Sequence, residues 1–417
     1  MIKVMKCGLL IDGTGKPPLV NAVVVIKDSE ILEVGEDVQI PSGAQTIDAD
    51  GMVIMPGLMN LHTHLASVEA PGSPGPNAIL PMLNAPQTLL ILYAVKHARQ
   101  LLEAGFTTVR DLGIFPAIPG ELAPLTSLRK AISLGLVCGP RVMVGGIVDM
   151  TAGHCDMEKP QFLARREDET VDGVWEVRKR VRELLRVNVD LIKTFSGAGV
   201  VGGEGESISW TNYTLEELEA IVDEAHMHNR KVASHAHTGL AITNAVKAGV
   251  DTIEHGVFID DEAIKMMITK KTILVPTLTP LSERGGLGAA VGERAREAMK
   301  ASPVSFRKAH EAGVRIAMGT DHWIQWPPKP MFGDDAYELE LMVKYGMSEM
   351  EAIVASTKTA AEGIGIENQV GTIEAGKLAD LIMIDGDPLK DIRILQDKSK
   401  IRRVMKGGQI VVDRGEN

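Results

Sequence analysis
The chain has eleven histidines among its 417 residues, and two of them are spelled His62-Thr-His64 at the end of the apolar run Val53–Leu61. On a β-strand, residues two apart point the same way, so these two imidazoles can grip one metal ion. Four more residues of ligating type close other apolar runs: Lys193 in Leu191-Ile-Lys-Thr-Phe, His235 in Lys231-Val-Ala-Ser-His, His255 in Thr252-Ile-Glu-His-Gly, and Asp321 in Arg315-Ile-Ala-Met-Gly-Thr-Asp. A single HxH pair could equally serve ordinary hydrogen bonding; four strand-end histidines with a strand-end acid point to a metal site. The same spelling at His226-Met-His228 falls within a helical pattern. Two positions apart on a helix do not share a face, so those two belong to a polar helix end.

The elements that must position these side chains follow from periodicity. Eight short apolar strands alternate with helical stretches between about 57 and 366: the four runs above, the one ending in His62, and those at Thr107–Leu112, Arg141–Gly146 and Thr272–Thr277. That alternation yields parallel βαβ units, and eight of them predict a (β/α)₈ barrel, an α/β fold, with an open doubly wound sheet as the alternative. One helix is marked by a capping box at Thr214 and Glu217, followed by Leu215, Leu218, Ile221, Val222 and Ala225 at helical spacing. The strand ends that carry the candidate ligands are the face on which barrel enzymes build their sites. Outside the barrel both termini are β-rich. The runs Ala22–Lys27 and Ile31–Val34 flank a polar turn, and Gly407-Gly408 interrupts Val404–Val412 where a two-residue hairpin needs positive φ. Segments 1–56 and 367–417 are therefore expected to form a small β-sandwich around the barrel at 57–366.

Composition narrows the function. A formal net charge of −11 and the lack of any Lys/Arg-rich run argue against nucleic acid and for a small-molecule substrate. No stretch is long and apolar enough for a signal peptide or a membrane span. Cys7, Cys138 and Cys155 are odd in number and far apart, which suits a reducing compartment and a cytoplasmic protein. A homo-oligomer is expected.

Taken in order, Pro56-Gly57-Leu58 with His62-Thr-His64, Phe106-Thr-Thr-Val-Arg-Asp111, Gly153-His-Cys-Asp156, Ile253-Glu-His-Gly256, Gly319-Thr-Asp321 and Gly376-Lys-Leu-Ala-Asp-Leu381 make the chain resemble the amidohydrolase superfamily over essentially its full length. Within it, the chain is similar to the branch holding prolidase-like (Xaa-Pro dipeptidase), Zn-dependent carboxypeptidase and imidazolonepropionase-related enzymes. The resemblance implies a barrel with two Zn²⁺ ions per chain. His62 and His64 would hold the buried metal and His235 and His255 the more exposed one. Lys193 would bridge both as a carbamate, and Asp321 would bind metal and handle the proton. A metal-bridging hydroxide would attack the amide of a dipeptide or N-acyl amino acid. Charge supports the carbamate: four neutral histidines and one aspartate bring a single negative charge to two dications. His154 and His237 would contact the substrate carbonyl or orient a ligand, while Cys155 reads as a small buried hydrophobe.

The chain departs from imidazolonepropionases, which carry His-Ala-Asp-Glu where this sequence has His235-Ala-His-Thr238 and which do not depend on a strand-four lysine. This favours the peptidase-like branch. A hydrolase of cyclic or aryl amides is the alternative. A non-catalytic homologue is disfavoured because all six ligand positions hold competent residues. Two unusual stretches, 196–210 with its many glycines and 322–335 with two tryptophans, are expected to line the substrate mouth, the first as a mobile loop.

Overall fold
The computed structural model describes residues 1–69, 80–113, 123–159, 170–201, 203, 205–285, 292–323 and 331–415. Its strands form two sheets. The first is mixed and drawn from both ends of the chain: β1 (Ile2–Leu10), β2 (Leu19–Val20), β3 (Val23–Lys27), β4 (Glu30–Gly35) and β5 (Gln45–Pro56) from one end. The second is parallel, in sequential order: β6 (Leu58–Thr63), β7 (Phe106–Asp111), β8 (Arg141–Val148), β9 (Leu191–Phe195), β10 (Lys231–Thr238), β11 (Thr252–Phe258) and β12 (Ile273–Val275). From the other end of the chain β13 (Leu381–Ile384), β14 (Ile401–Lys406) and β15 (Gln409–Asp413) complete the mixed sheet, in the order β15-β14-β13-β5-β1-β3-β4 with β2 on β1.

The two termini meet, as their β-rich ends predict, in one continuous eight-stranded mixed sheet. Its centre is β5, which pairs parallel with β1 and antiparallel with β13, so the two ends of the chain are hydrogen-bonded to each other. It keeps an apolar core of its own, with Met5, Val24, Ile26, Ile54, Leu381 and Met383 all buried. The β14–β15 hairpin turns where expected, through Gly407 and Gly408 at φ 53° and 72°, which a side chain would oppose.

The barrel differs from expectation in strand count. Seven strands form, and residues 315–321 do not make an eighth. They nevertheless lie across the gap: Leu274 N donates to Arg315 O and Ala317 N to Leu274 O, while Leu61 N donates to Met318 O. A parallel bridge between Leu274 and Ile316 marks one side of this seam. The result is a nearly closed barrel whose last segment is held by a few backbone bonds on each side. Helices alternate with the strands as the periodicity requires. In the helix Val174–Arg186, Val177, Val181 and Leu184 recur at helical spacing and bury one stripe against the barrel. The helix Leu215–Met227 starts with the capping box of Thr214 and Glu217. Among the described residues, no helix is long and apolar enough to cross a membrane.

Candidate metal centre
All six strand-end residues line one cavity at the C-terminal ends of the barrel strands. His62 and His64 close β6 and both turn Nε2 toward the same Asp321 oxygen, at 3.4 and 3.3 Å. His235 and His237 share a face of β10, with ring centroids 4.6 Å apart. Ligand atoms of His62, His255 and Asp321 lie within 4.8 Å of one another, and so do those of His235, His237 and His255. Lys193 stands beside them on β9, 2% exposed, its ammonium 5.1 Å from the centre of the Phe195 ring. His226 and His228 are elsewhere, at the end of their helix: His226 Nε2 pairs with Asp251 and His228 Nδ1 with the Glu224 carbonyl.

Simple alternation along β11 would send Glu254 and His255 to opposite faces, yet both meet His62. Glu254 accepts from His62 Nδ1 at 2.8 Å, and the His255 ring centre lies 4.9 Å from that of His62. The cause is backbone: His255 has φ 76°, a left-handed conformation that is unfavourable for a side-chain-bearing residue and that redirects its imidazole. Asp321 (φ 54°) and Thr277 (φ 46°) share the conformation, and Thr277 Oγ1 bonds His255 Nδ1 at 2.7 Å. Strain of this kind gathers where the fold is overruled by a site.

Electrostatics follow from burial. Desolvation lowers the pKa of His62 to about 4 and of His237 to about 3, and drives His235 and His255 well down, so all four rings are neutral and able to ligate. Burial also lowers Lys193 to about 8, so its free amine becomes the main form only above that pH. Burial alone would raise Asp321, but His62, His64 and Lys193 outweigh it and hold the carboxylate at about 2. Glu254 is likewise carried down to about 2 against its burial by Arg110 and His62.

The donor set fits metal ions. His62 and His255 each spend Nδ1 on a protein acceptor, Glu254 and Thr277, which leaves Nε2 of each for another partner. His235 Nε2 and His237 Nδ1 are buried with no hydrogen-bond partner among the described residues. Buried imidazole nitrogens left without a hydrogen bond are costly unless a cation takes them, and one ligand atom from each of these two rings lies within 4.8 Å of one from His255.

His154 sits on the short helix His154–Met157 after β8 and stacks on His235, ring centres 4.4 Å apart. Its Nδ1 faces Glu206 at 3.4 Å and its Nε2 faces Glu158 at 3.5 Å. Although burial opposes the charge, these carboxylates raise its pKa to about 8. Glu206 comes from the glycine-rich stretch after β9. There Gly199 N donates to Glu206, and Arg294 donates to the carbonyls of Gly199 and Glu206. Cys155 is buried, as expected, and lines the cavity. Of the 322–335 stretch, Trp323 lines the cavity, while residues 324–330 fall outside the described residues.

Residues 53–411 match the family model described as the amidohydrolase family. The chain belongs to that family. It is a hydrolase acting on amide or peptide C–N bonds. The ochratoxinase of Aspergillus niger is 29% identical over 98% of this chain and 86% of that protein, and its crystal structure superposes with a TM-score of 0.85 at 28% identity, covering 100% of this chain and 96% of that one. A Xaa-Pro dipeptidase solved with bound methionine in its active site gives a TM-score of 0.85 at 30% identity over 98% and 99% of the two chains. A prolidase in complex with N-methylphosphonate-L-proline gives 0.84 at 30% identity over 99% of each.

Sequence reasoning did not single out Arg110, Glu254, Thr277, Glu158 or Glu206. Arg110 and Glu254 were visible as charges inside buried strand runs, a signal of paired or functional groups. Glu206 stands 52 residues from His154, beyond any local pattern.

Proposed function
We propose that this amidohydrolase cleaves the amide of a dipeptide or N-acyl amino acid with the help of two zinc ions. The observation that carries the reading is the convergence of His62, His255 and Asp321 with His235 and His237 around one buried lysine. In this reading His62, His64, Asp321, His235 and His255 would hold the metals, with Lys193, carboxylated on Nζ, as a further ligand shared between them. Two such ions would supply the positive charge that brings water's pKa from 15.7 to about 7 and polarises the scissile carbonyl.

The chain's own groups supply the rest. Asp321, held as a carboxylate between His62 and His64, takes the proton from attacking water and returns it to the leaving amine. His154, kept cationic by Glu158 and Glu206, and His237 are placed to hydrogen-bond the substrate carbonyl and stabilise negative charge on it. Met82, Leu112, Ile147, Phe195 and Leu281 make the wall apolar, which suits an amide flanked by apolar side chains and keeps bulk water out. The likeness to a Xaa-Pro dipeptidase and to a prolidase bound to N-methylphosphonate-L-proline supports this substrate class.

The test combines metal analysis with a library of dipeptides, N-acyl amino acids and cyclic amides. The reading expects two zinc ions per chain and turnover of linear amides. Turnover of cyclic amides alone, with one metal per chain, would replace it by an imidazolonepropionase-like activity.

A further inference from the structure
Arg110 on β7 and Glu254 on β11 meet directly behind the His62 ring. Arg110 is 1% exposed and Glu254 0%. Arg110 Nη2 donates to Glu254 Oε1 at 2.7 Å, its Nη1 to Thr252 Oγ1 at 2.9 Å, and its Nε to the carbonyl of Leu61 on β6. The other carboxylate oxygen, Oε2, accepts from His62 Nδ1 at 2.8 Å. The Thr252 hydroxyl also donates to Oε1, so both oxygens of Glu254 are fully engaged. The guanidinium thereby joins β6, β7 and β11 at the floor of the cavity.

A buried ion pair gives no net stability over an apolar pair of similar size, so stability alone does not account for its presence here. What an apolar pair could not do is hold one anionic oxygen against Nδ1 of a ring whose Nε2 faces Asp321. We infer that Glu254 is a positioning residue for the metal centre, anchored by Arg110. It commits His62 to the tautomer with hydrogen on Nδ1, so that Nε2 is the nitrogen presented to the cavity. It also places a negative charge behind the imidazole, which strengthens Nε2 as a donor to a dication. Arg110 has a separate task. It fixes the carboxylate in two directions, so Glu254 can neither rotate toward the cavity nor bind the cation itself.

The inference rests on the metal reading above, and its test compares variants with the unaltered enzyme so that the two can fail separately. Zinc content and affinity are measured on chelator-stripped protein titrated with zinc, alongside thermal melting of the stripped protein. Glu254→Gln should weaken one zinc equivalent by roughly 10–100-fold and leave the other in place. Its stripped form should melt near the unaltered one. Zinc affinity unchanged by Glu254→Gln would overturn the inference and leave a purely structural ion pair. If that variant does not fold because Arg110 is left unpaired, the double variant Arg110→Met with Glu254→Gln removes both charges and is judged by the same affinity criterion. The zinc-loaded structure of the unaltered enzyme decides independently of both. Nε2 of His62 on the metal with Nδ1 on Glu254 upholds the inference, and ligation through Nδ1 ends it. Unaltered enzyme binding less than one zinc would instead refute the metal reading itself.

Discussion
The backbone amide of Asp321 donates to the carbonyl oxygen of His62 at 2.8 Å. The end of the barrel's last segment is thus registered against the end of its first strand at the level of the ligands. This bond compensates for the missing eighth strand at the point where position matters, and it brings the Asp321 carboxylate between the His62 and His64 rings.

Because the backbone and not the carboxylate fixes this placement, Asp321→Asn should fold normally while losing the proton carrier. The expected result is a fall in kcat of at least about 10²-fold, the usual scale for a positioned acid–base group, with circular dichroism unchanged. Near-normal turnover would remove Asp321 from the proton path.

Lys193 leads to a prediction about loading. A carbamate forms only from the free amine, and burial has lowered the amine's pKa to about 8 in the metal-free protein. Below that pH the ammonium dominates and blocks carboxylation; above it the amine is free. Uptake of the second zinc by chelator-stripped protein should therefore rise as pH is raised through about 8, and bicarbonate should increase it. Lys193→Ala should lose one or both metals and nearly all activity, with partial recovery when short carboxylic acids replace the bridge. Full activity of the alanine variant would dispose of the bridge.

Gly199 tests the support of His154. A β-carbon there would fall 1.9 Å from His154 Cε1, a clash that only displacement of the ring or the loop can relieve. Overpacking of this kind costs roughly 1–3 kcal/mol, and here it is borne by a ring in the cavity wall. Gly199→Ala should keep its metals but lower kcat/KM, by about tenfold if 1.4 kcal/mol reaches the transition state. Unaltered kcat/KM in a variant whose crystal structure shows the His154 ring displaced would show that His154 has no part in substrate binding.

Much of this site could be read before any coordinates, and the reason is the barrel itself. Parallel strands buried on both faces are apolar runs, so a histidine, lysine or aspartate at the end of one is conspicuous: His62, Lys193, His235, His255 and Asp321 all announced themselves this way. What could not be read depends on backbone geometry or on distance along the chain. His255 reaches His62 through a positive φ that periodicity does not encode. Glu206 reaches His154 from a different loop. The eighth strand was expected from Arg315–Asp321, whose composition is strand-like. Its few backbone bonds to Leu61 and Leu274 hold it as an irregular seam, which ends where Asp321 leaves the extended conformation at φ 54°. At the termini the strands were legible but not their pairing: β5 pairs with β1 on one edge and β13 on the other, so the two ends of the chain share one sheet.

The remaining prediction separates the two histidines of β10. His235 and His237 lie on one face, and both come within 4.8 Å of His255, so proximity alone makes either a ligand. Their surroundings differ. His235 is stacked against His154 and presents a buried Nε2 with no hydrogen-bond partner among the described residues, whereas His237 stacks on His255 at a centroid distance of 4.9 Å and leaves Nδ1 without one among them. If His235 supplies the metal bond, His237→Asn should keep both zinc equivalents, since an amide can still hydrogen-bond a carbonyl, and lose its effect mainly in kcat/KM. His235→Asn should release a zinc. Metal analysis of the two purified variants decides the matter: a full equivalent lost from His237→Asn and retained in His235→Asn would exchange the two roles, making His237 the ligand and His235 the residue that meets the substrate.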